Sequence, residues 1–248
     1  MKTTRRHTAT AAMLVALGAA GVLLTASSKS SVRIERNLER ADKPSAGSVL
    51  APEKGKFKIF VNGQRVGREE FEIGPSGGDW TVRGNSEIQS PQGVTHVTGT
   101  LNLKPDGTPT HYDWSMQGPK KASAVIEFTG AVANVELHVE GMRPYTQQFT
   151  FNSPQVVVLD NNLYHQYVVL AHLYDWNKKG AQTFAVLVPQ DMTPGNVTVD
   201  SLGKQDVGGA KVEELRVKTE DLELDLYLDG QKLVRIVAPS SSAEIIRE

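Results

Sequence analysis

From residue 57 onward the chain carries an apolar and polar alternation of period two, and turn-forming residues interrupt it at short intervals. An extended strand points successive side chains to opposite faces, so such a run buries one face and solvates the other. Phe57, Ile59 and Val61 fall on one face, with Lys58 and Phe60 on the other. Asn62-Gly63 follows, and both positions tolerate the positive φ that a two-residue hairpin turn demands. Residues 64–73 return as a second strand, with Phe71 and Ile73 on a common face. Residues 80–88 form a third, and 94–103 and 108–116 flank the turn Lys104-Pro105-Asp106-Gly107. Runs 122–129, 132–139 and 145–151 continue the pattern. The first half therefore reads as consecutive antiparallel strands, a meander.

The pattern breaks once. After Pro154 and the apolar run 156–159, residues 161–176 carry apolar side chains around nearly a whole helical wheel. Leu163, Tyr167, Leu170 and Tyr174 form one stripe, and Tyr164, Val168 and Ala171 widen it. Asp160 or Asn161 suits a helix start and Lys178-Lys179-Gly180 suits an end. A helix with no polar face belongs inside a domain. Strands resume at 183–188, 196–202 and 210–218. Leu222, Leu224, Leu226 and Leu228 then alternate with polar residues before Asp229-Gly230. A three-residue hairpin there sets Leu224 opposite Val234 and Glu223 opposite Arg235. The fold class expected is mainly β: an antiparallel, strongly curved sheet or open barrel with one long buried α-helix over about 161–176, in a single domain spanning 55–248.

The amino terminus reads differently. Basic residues from Lys2 to Arg6 precede an uncharged stretch from Thr8 to Ser28, the form of a secretory signal peptide or a retained membrane anchor over 1–26. Residues 27–54 form a charged, then Pro/Ser-containing linker. The expectation is an exported protein, periplasmic or anchored facing the periplasm. The 248-residue chain contains no cysteine, so a disulfide framework and thiolate chemistry are excluded. Its formal net charge of -1 argues against nucleic acid as a partner.

No catalytic constellation stands out. Ser76 lies in Gly74-Pro75-Ser76-Gly77-Gly78, which reads as a turn and not as a nucleophile elbow. His165 and His172 are seven positions apart, about 10 Å along a helix, too far to chelate one ion. They read as edge residues of the helix bonded to sheet groups. His172 with Asp175 and a strand histidine, His96 or His111, is the one arrangement that would suit a metal-assisted hydrolase. The carboxylate groups Glu69-Glu70-Glu72 and Asp221-Glu223-Asp225 read as solvated strand faces. The aromatic helix offers the candidate ligand-binding residues Tyr164, Tyr167, His172, Tyr174 and Trp176, which suit an apolar pocket. Neither a metal nor a cofactor is implied.

The hairpin Phe57-Lys58-Ile59-Phe60-Val61-Asn62-Gly63-Gln64-Arg65-Val66-Gly67, and the closing Leu226-Tyr227-Leu228-Asp229-Gly230-Gln231-Lys232-Leu233-Val234-Arg235-Ile236, resemble the first and last hairpins of exported bacterial β-domains of unknown function. Those domains are similar in shape to the helix-plugged barrels of the periplasmic lipoprotein carriers LolA and LolB. The resemblance implies no site residues. The expected function is a non-enzymatic envelope protein binding a lipid, another apolar molecule or an envelope protein on the concave face of the sheet. The alternatives are the metal-assisted hydrolase and a tethered assembly module.

Overall fold

The computed structural model describes residues 47–219 and 222–248. The signal or anchor segment 1–26, most of the linker and Asp221 lie outside the described residues. The strands are β1 (Glu53–Val61), β2 (Gln64–Ser76), β3 (Asp79–Ser90), β4 (Gly93–Leu103), β5 (Pro109–Gln117), β6 (Ala122–Thr129), β7 (Val132–Val139) and β8 (Tyr145–Thr150). After them come β9 (Val156–Val158), the helix α1 (Gln166–Leu173), β10 (Gln182–Val188), β11 (Thr193–Val207) and β12 (Ala210–Lys218). The last are β13 (Glu223–Asp229), β14 (Lys232–Ala238) and β15 (Ala243–Arg247).

All 15 strands join one open sheet, in the order β8-β7-β6-β5-β4-β3-β2-β1-β15-β14-β13-β12-β11-β10-β9. Strands β2 to β8 step outward on one side of β1, and the chain then returns so that β15 pairs antiparallel with the other side of β1. The strand hydrogen-bonded between β1 and β14 is thus the carboxy-terminal one. Among the described residues only β9 and β10 pair in parallel.

The meander follows the alternation. Asn62 (φ 50) and Gly63 (φ 73) take the left-handed conformations of the first hairpin turn. The inner face is apolar, with Phe57, Ile59, Ile73, Trp80, Val82, Leu101, Tyr112 and Ile126 almost wholly removed from water. The helix packs inside against β9 and β14.

Several expectations need correction. The helix runs from Gln166 to Leu173, not from 161 to 176. Asp160 and Asn161 do not cap it; residues 161–165 are turns, and Tyr174 is already extended. The run at 156–158 is a strand and the tail at 243–247 another, each too short to show its own period. The closing hairpin turns at Gly230-Gln231, where Asp229 meets Lys232, and its register shifts once more between Tyr227 and Leu228, so that Leu226 meets Ile236 and Tyr227 meets Arg235. Arg235 consequently lies 5.8 Å over the Tyr227 ring and not opposite Glu223. Finally, Asp225 is not solvated: it is buried and paired with Arg216 Nε at 2.7 Å.

Candidate functional site

The polar groups inside the sheet begin with β2. Glu69 shares the inward parity of Phe71 and Ile73 and has no exposure. Glu70 and Glu72 face outward, to Lys56 at 2.6 Å and Lys54 at 2.8 Å. A buried carboxylate must find donors. Glu69 finds three on the segment leading into α1: the Tyr164 N–H at 2.7 Å, the His165 N–H at 3.1 Å and His165 Nδ1 at 2.5 Å. The acceptor that fixes the start of the helix therefore comes from a strand 96 residues away.

The sheet makes room for that segment with glycine. Gly84 on β3 faces the His165 ring, and a Cβ there would fall on the ring atoms. Gly99 on β4 is paired with Gly84 and faces Leu163 and the Tyr112 hydroxyl. His165 stacks on Phe71 with centroids 6.0 Å apart, and Phe71 stacks on Phe57 at 5.2 Å.

Against that stack stands Arg247, 5.2 Å from the Phe71 ring centroid and 6.0 Å from that of Phe57. It pairs with Glu53 and donates to the carbonyls of Lys54 at 2.7 Å and Leu233 at 3.3 Å. His172 Nε2 lies 3.6 Å from Glu53, an ion-pair distance and not a hydrogen bond. Burial alone would raise the Glu53 carboxyl, but His172 and Arg247 outweigh it and hold it below its usual range. One cluster so ties the first strand, the last strand and the end of the helix.

A third group surrounds Gln166, which has no exposure. Its Oε1 accepts from the Asp160 N–H, and its Nε2 donates to the Tyr112 hydroxyl at 3.1 Å. Burial pushes the Asp160 carboxyl well up despite the Gln166 bond, and the charge of Asp191 adds to that rise. Beside this group is a slot of about 40 Å³ between the helix approach and β13–β15, with Asp160, Tyr164, Tyr167, Leu224, Ile236 and Ile245 in its wall. Asp160 Oδ1 and the Tyr164 hydroxyl are buried and make no hydrogen bond to the protein. A space of this size holds a water molecule or the tip of a larger one.

The candidate ligand-binding residues fall into three places. Tyr164 and Tyr167 share the slot. His172 turns away to Glu53. Tyr174 meets Trp176 edge-on at 5.0 Å and donates its hydroxyl to the Gly180 carbonyl at 2.9 Å. Both expected helix histidines do reach sheet carboxylates, one by hydrogen bond and one at ion-pair distance. Asp175 lies away from His172, in a turn with Asn177 and Lys178. His96 and His111 lie on the outer face with acidic neighbours of their own. Among the described residues no three His, Cys, Asp or Glu side chains converge as a cation site.

The sequence reading missed Glu69, Asp160, Gln166, Glu53 and Arg247. Glu69 had a signal: with Phe71 and Ile73 assigned inward, strict alternation places Glu69 inward as well. Glu53 and Arg247 carry none, since their partners are distant in the chain, and the bond between Asp160 and Gln166 needs the irregular turn between them, which no periodicity records.

No protein-family model matches the chain, and no curated protein matches it by sequence. In fold it is similar to a crystal structure of a β-barrel-like protein of the domain of unknown function DUF1849 from Brucella abortus. The TM-score is 0.54 at 11% identity, over 80% of this chain and 95% of the other. At that identity the likeness extends to the fold alone. Among the described residues no helix is long and apolar enough to cross a membrane.

Proposed function

We propose that this is an exported cell-envelope protein that binds and does not catalyse, and that it holds an apolar ligand on the concave face of a strongly curved sheet. The observation that carries the reading is the slot beside Tyr164 and Tyr167. Its walls are mainly apolar, yet two of the residues that line it, Asp160 and Tyr164, each carry a buried polar atom, Oδ1 and the hydroxyl, without a protein partner. Buried polar atoms normally find partners, so such a pair suits a small polar end on an apolar molecule. Burial pushes the Asp160 carboxyl well up and so disfavours its charged form, which suits a neutral polar end such as a hydroxyl. The slot admits one end of such a molecule, and the rest lies outside it. On this reading the chain works like the LolA and LolB carriers in sheltering an apolar group inside an incomplete barrel. The segment 1–26 directs it out of the cytoplasm and, if retained, tethers it to the membrane.

Native mass spectrometry of protein from its own host is the test. A small-molecule mass that co-purifies with wild type, and is held about tenfold more weakly by Tyr167→Ala, supports the reading. A bare polypeptide mass, with folded Tyr167→Ala and Trp176→Ala variants taking up apolar dyes as wild type does, overturns it.

A further inference from the structure

The two edges of the sheet differ. The edge strand β9 has three residues, all buried, with the helix packed against it. At the opposite edge β8 has six residues, and among the described residues it pairs only with β7. That pairing runs through all six without a register shift. An open, regular edge invites another strand, and proteins normally guard it with charge, proline or a bulge. Residues 145–153 contain none of these.

The side chains at this edge are suited to contact. Tyr145 is 52% exposed and Met142, in the preceding turn, 70%. Tyr145, Gln147 and Phe149 share the inner face, where neighbouring Leu137, Ala122 and Met116 are only partly covered. Thr146, Gln148 and Thr150 occupy the outer face.

We infer that β8 pairs antiparallel with β8 of a second copy, around a two-fold axis through Gln147. A two-fold contact must be self-complementary, since each residue meets its reciprocal partner. In this register the inner face sets Tyr145 opposite Phe149 of the second copy, twice, with Gln147 opposite itself. Thr146 falls opposite Gln148 on the outer face. Both aromatic residues gain a cross-strand aromatic partner and no like charges meet. Centring the axis two residues later would set Tyr145 opposite Ser153 and Gln147 opposite Phe151, which separates the aromatic residues of the first pairing. A strand of six residues covers less than a standard interface of roughly 1,600 Å², so the dimer is weak, with a Kd on the order of micromolar. The β8 edge is separate from the ligand slot, which lies against β13–β15.

Sedimentation equilibrium of the full chain, from about 1 to about 200 μM, tests it. Wild type should show reversible dimerisation. Gln147→Lys and Gln147→Glu should each weaken it at least about tenfold, because like charges then face each other on the axis. An equimolar mixture of the two variants should restore it. A monomeric wild type, single variants that dimerise as wild type does, or a mixture that stays monomeric would overturn the inference. Gln147→Cys supplies a check that needs no charge, since the chain has no other cysteine. Oxidation should give a covalent dimer, and a monomer only would count against the two-fold register. A monomeric wild type that captures a strand of a different polypeptide would also overturn it.

Discussion

Glu69 on β2 and His165 at the entrance to α1 meet 2.5 Å apart, and neither side chain reaches solvent. The same carboxylate receives the backbone N–H groups of Tyr164 and His165. The helix is thus anchored from the sheet and needs no local cap.

Removing one partner leaves the other buried with unmet hydrogen-bonding capacity. Glu69→Ala should cost about 3–5 kcal/mol. Urea denaturation of the variant, of His165→Ala and of the double variant would measure it. The double variant should lose less than the sum of the singles, because the two changes disrupt one interaction.

Gly84 and Gly74 offer a matched comparison. A Cβ at Gly84 falls on the His165 ring, whereas a Cβ at Gly74 meets nothing within 4 Å. Gly84→Ala should lower stability by about 1–3 kcal/mol. Gly74→Ala should leave it unchanged or raise it by up to about 1 kcal/mol. Equal melting temperatures for the two variants would contradict the close approach of helix and sheet.

The Arg247 cluster predicts that the last strand is essential. Arg247→Ala leaves the half-buried Glu53 without its guanidinium and should cost about 1–3 kcal/mol. A chain ending at residue 242 lacks the strand between β1 and β14, and should lose its cooperative unfolding transition. A truncated chain that melted like wild type would show that β15 is dispensable.

His111 on the outer face bridges Asp113 and Glu127, at 2.7 Å from each. Burial works against the charged ring, but hydrogen bonds to Asp113 and Glu127 outweigh it and raise its pKa above the usual 6.5. The unfolded chain has the lower value. The stabilisation is therefore complete below about pH 6.5 and is lost as pH rises through the raised folded value. Melting temperatures at about pH 5.5 and about pH 8.5 should show His111→Gln losing this contribution on the acidic side only. An equal loss at both pH values would argue against the ion pairs.

What the sequence by itself determined is what a few neighbouring residues record. Period-two runs marked most of the strands, and β6, β7 and β12 have the limits that their alternation implied. The all-round apolar run over about 161–176 announced one buried helix. Alternation reports which face of a strand is buried, however, and not which strand lies beside it. The tertiary structure decided that β15 pairs with both β1 and β14, that α1 ends at Leu173, and that the closing hairpin slips at Tyr227. It also decided the polar interior. Glu69, Gln166, Glu53 and Arg247 are tolerable inside only because their partners come from distant parts of the chain. Desolvation penalises each such group alone, and only the folded geometry supplies the bonds that offset it.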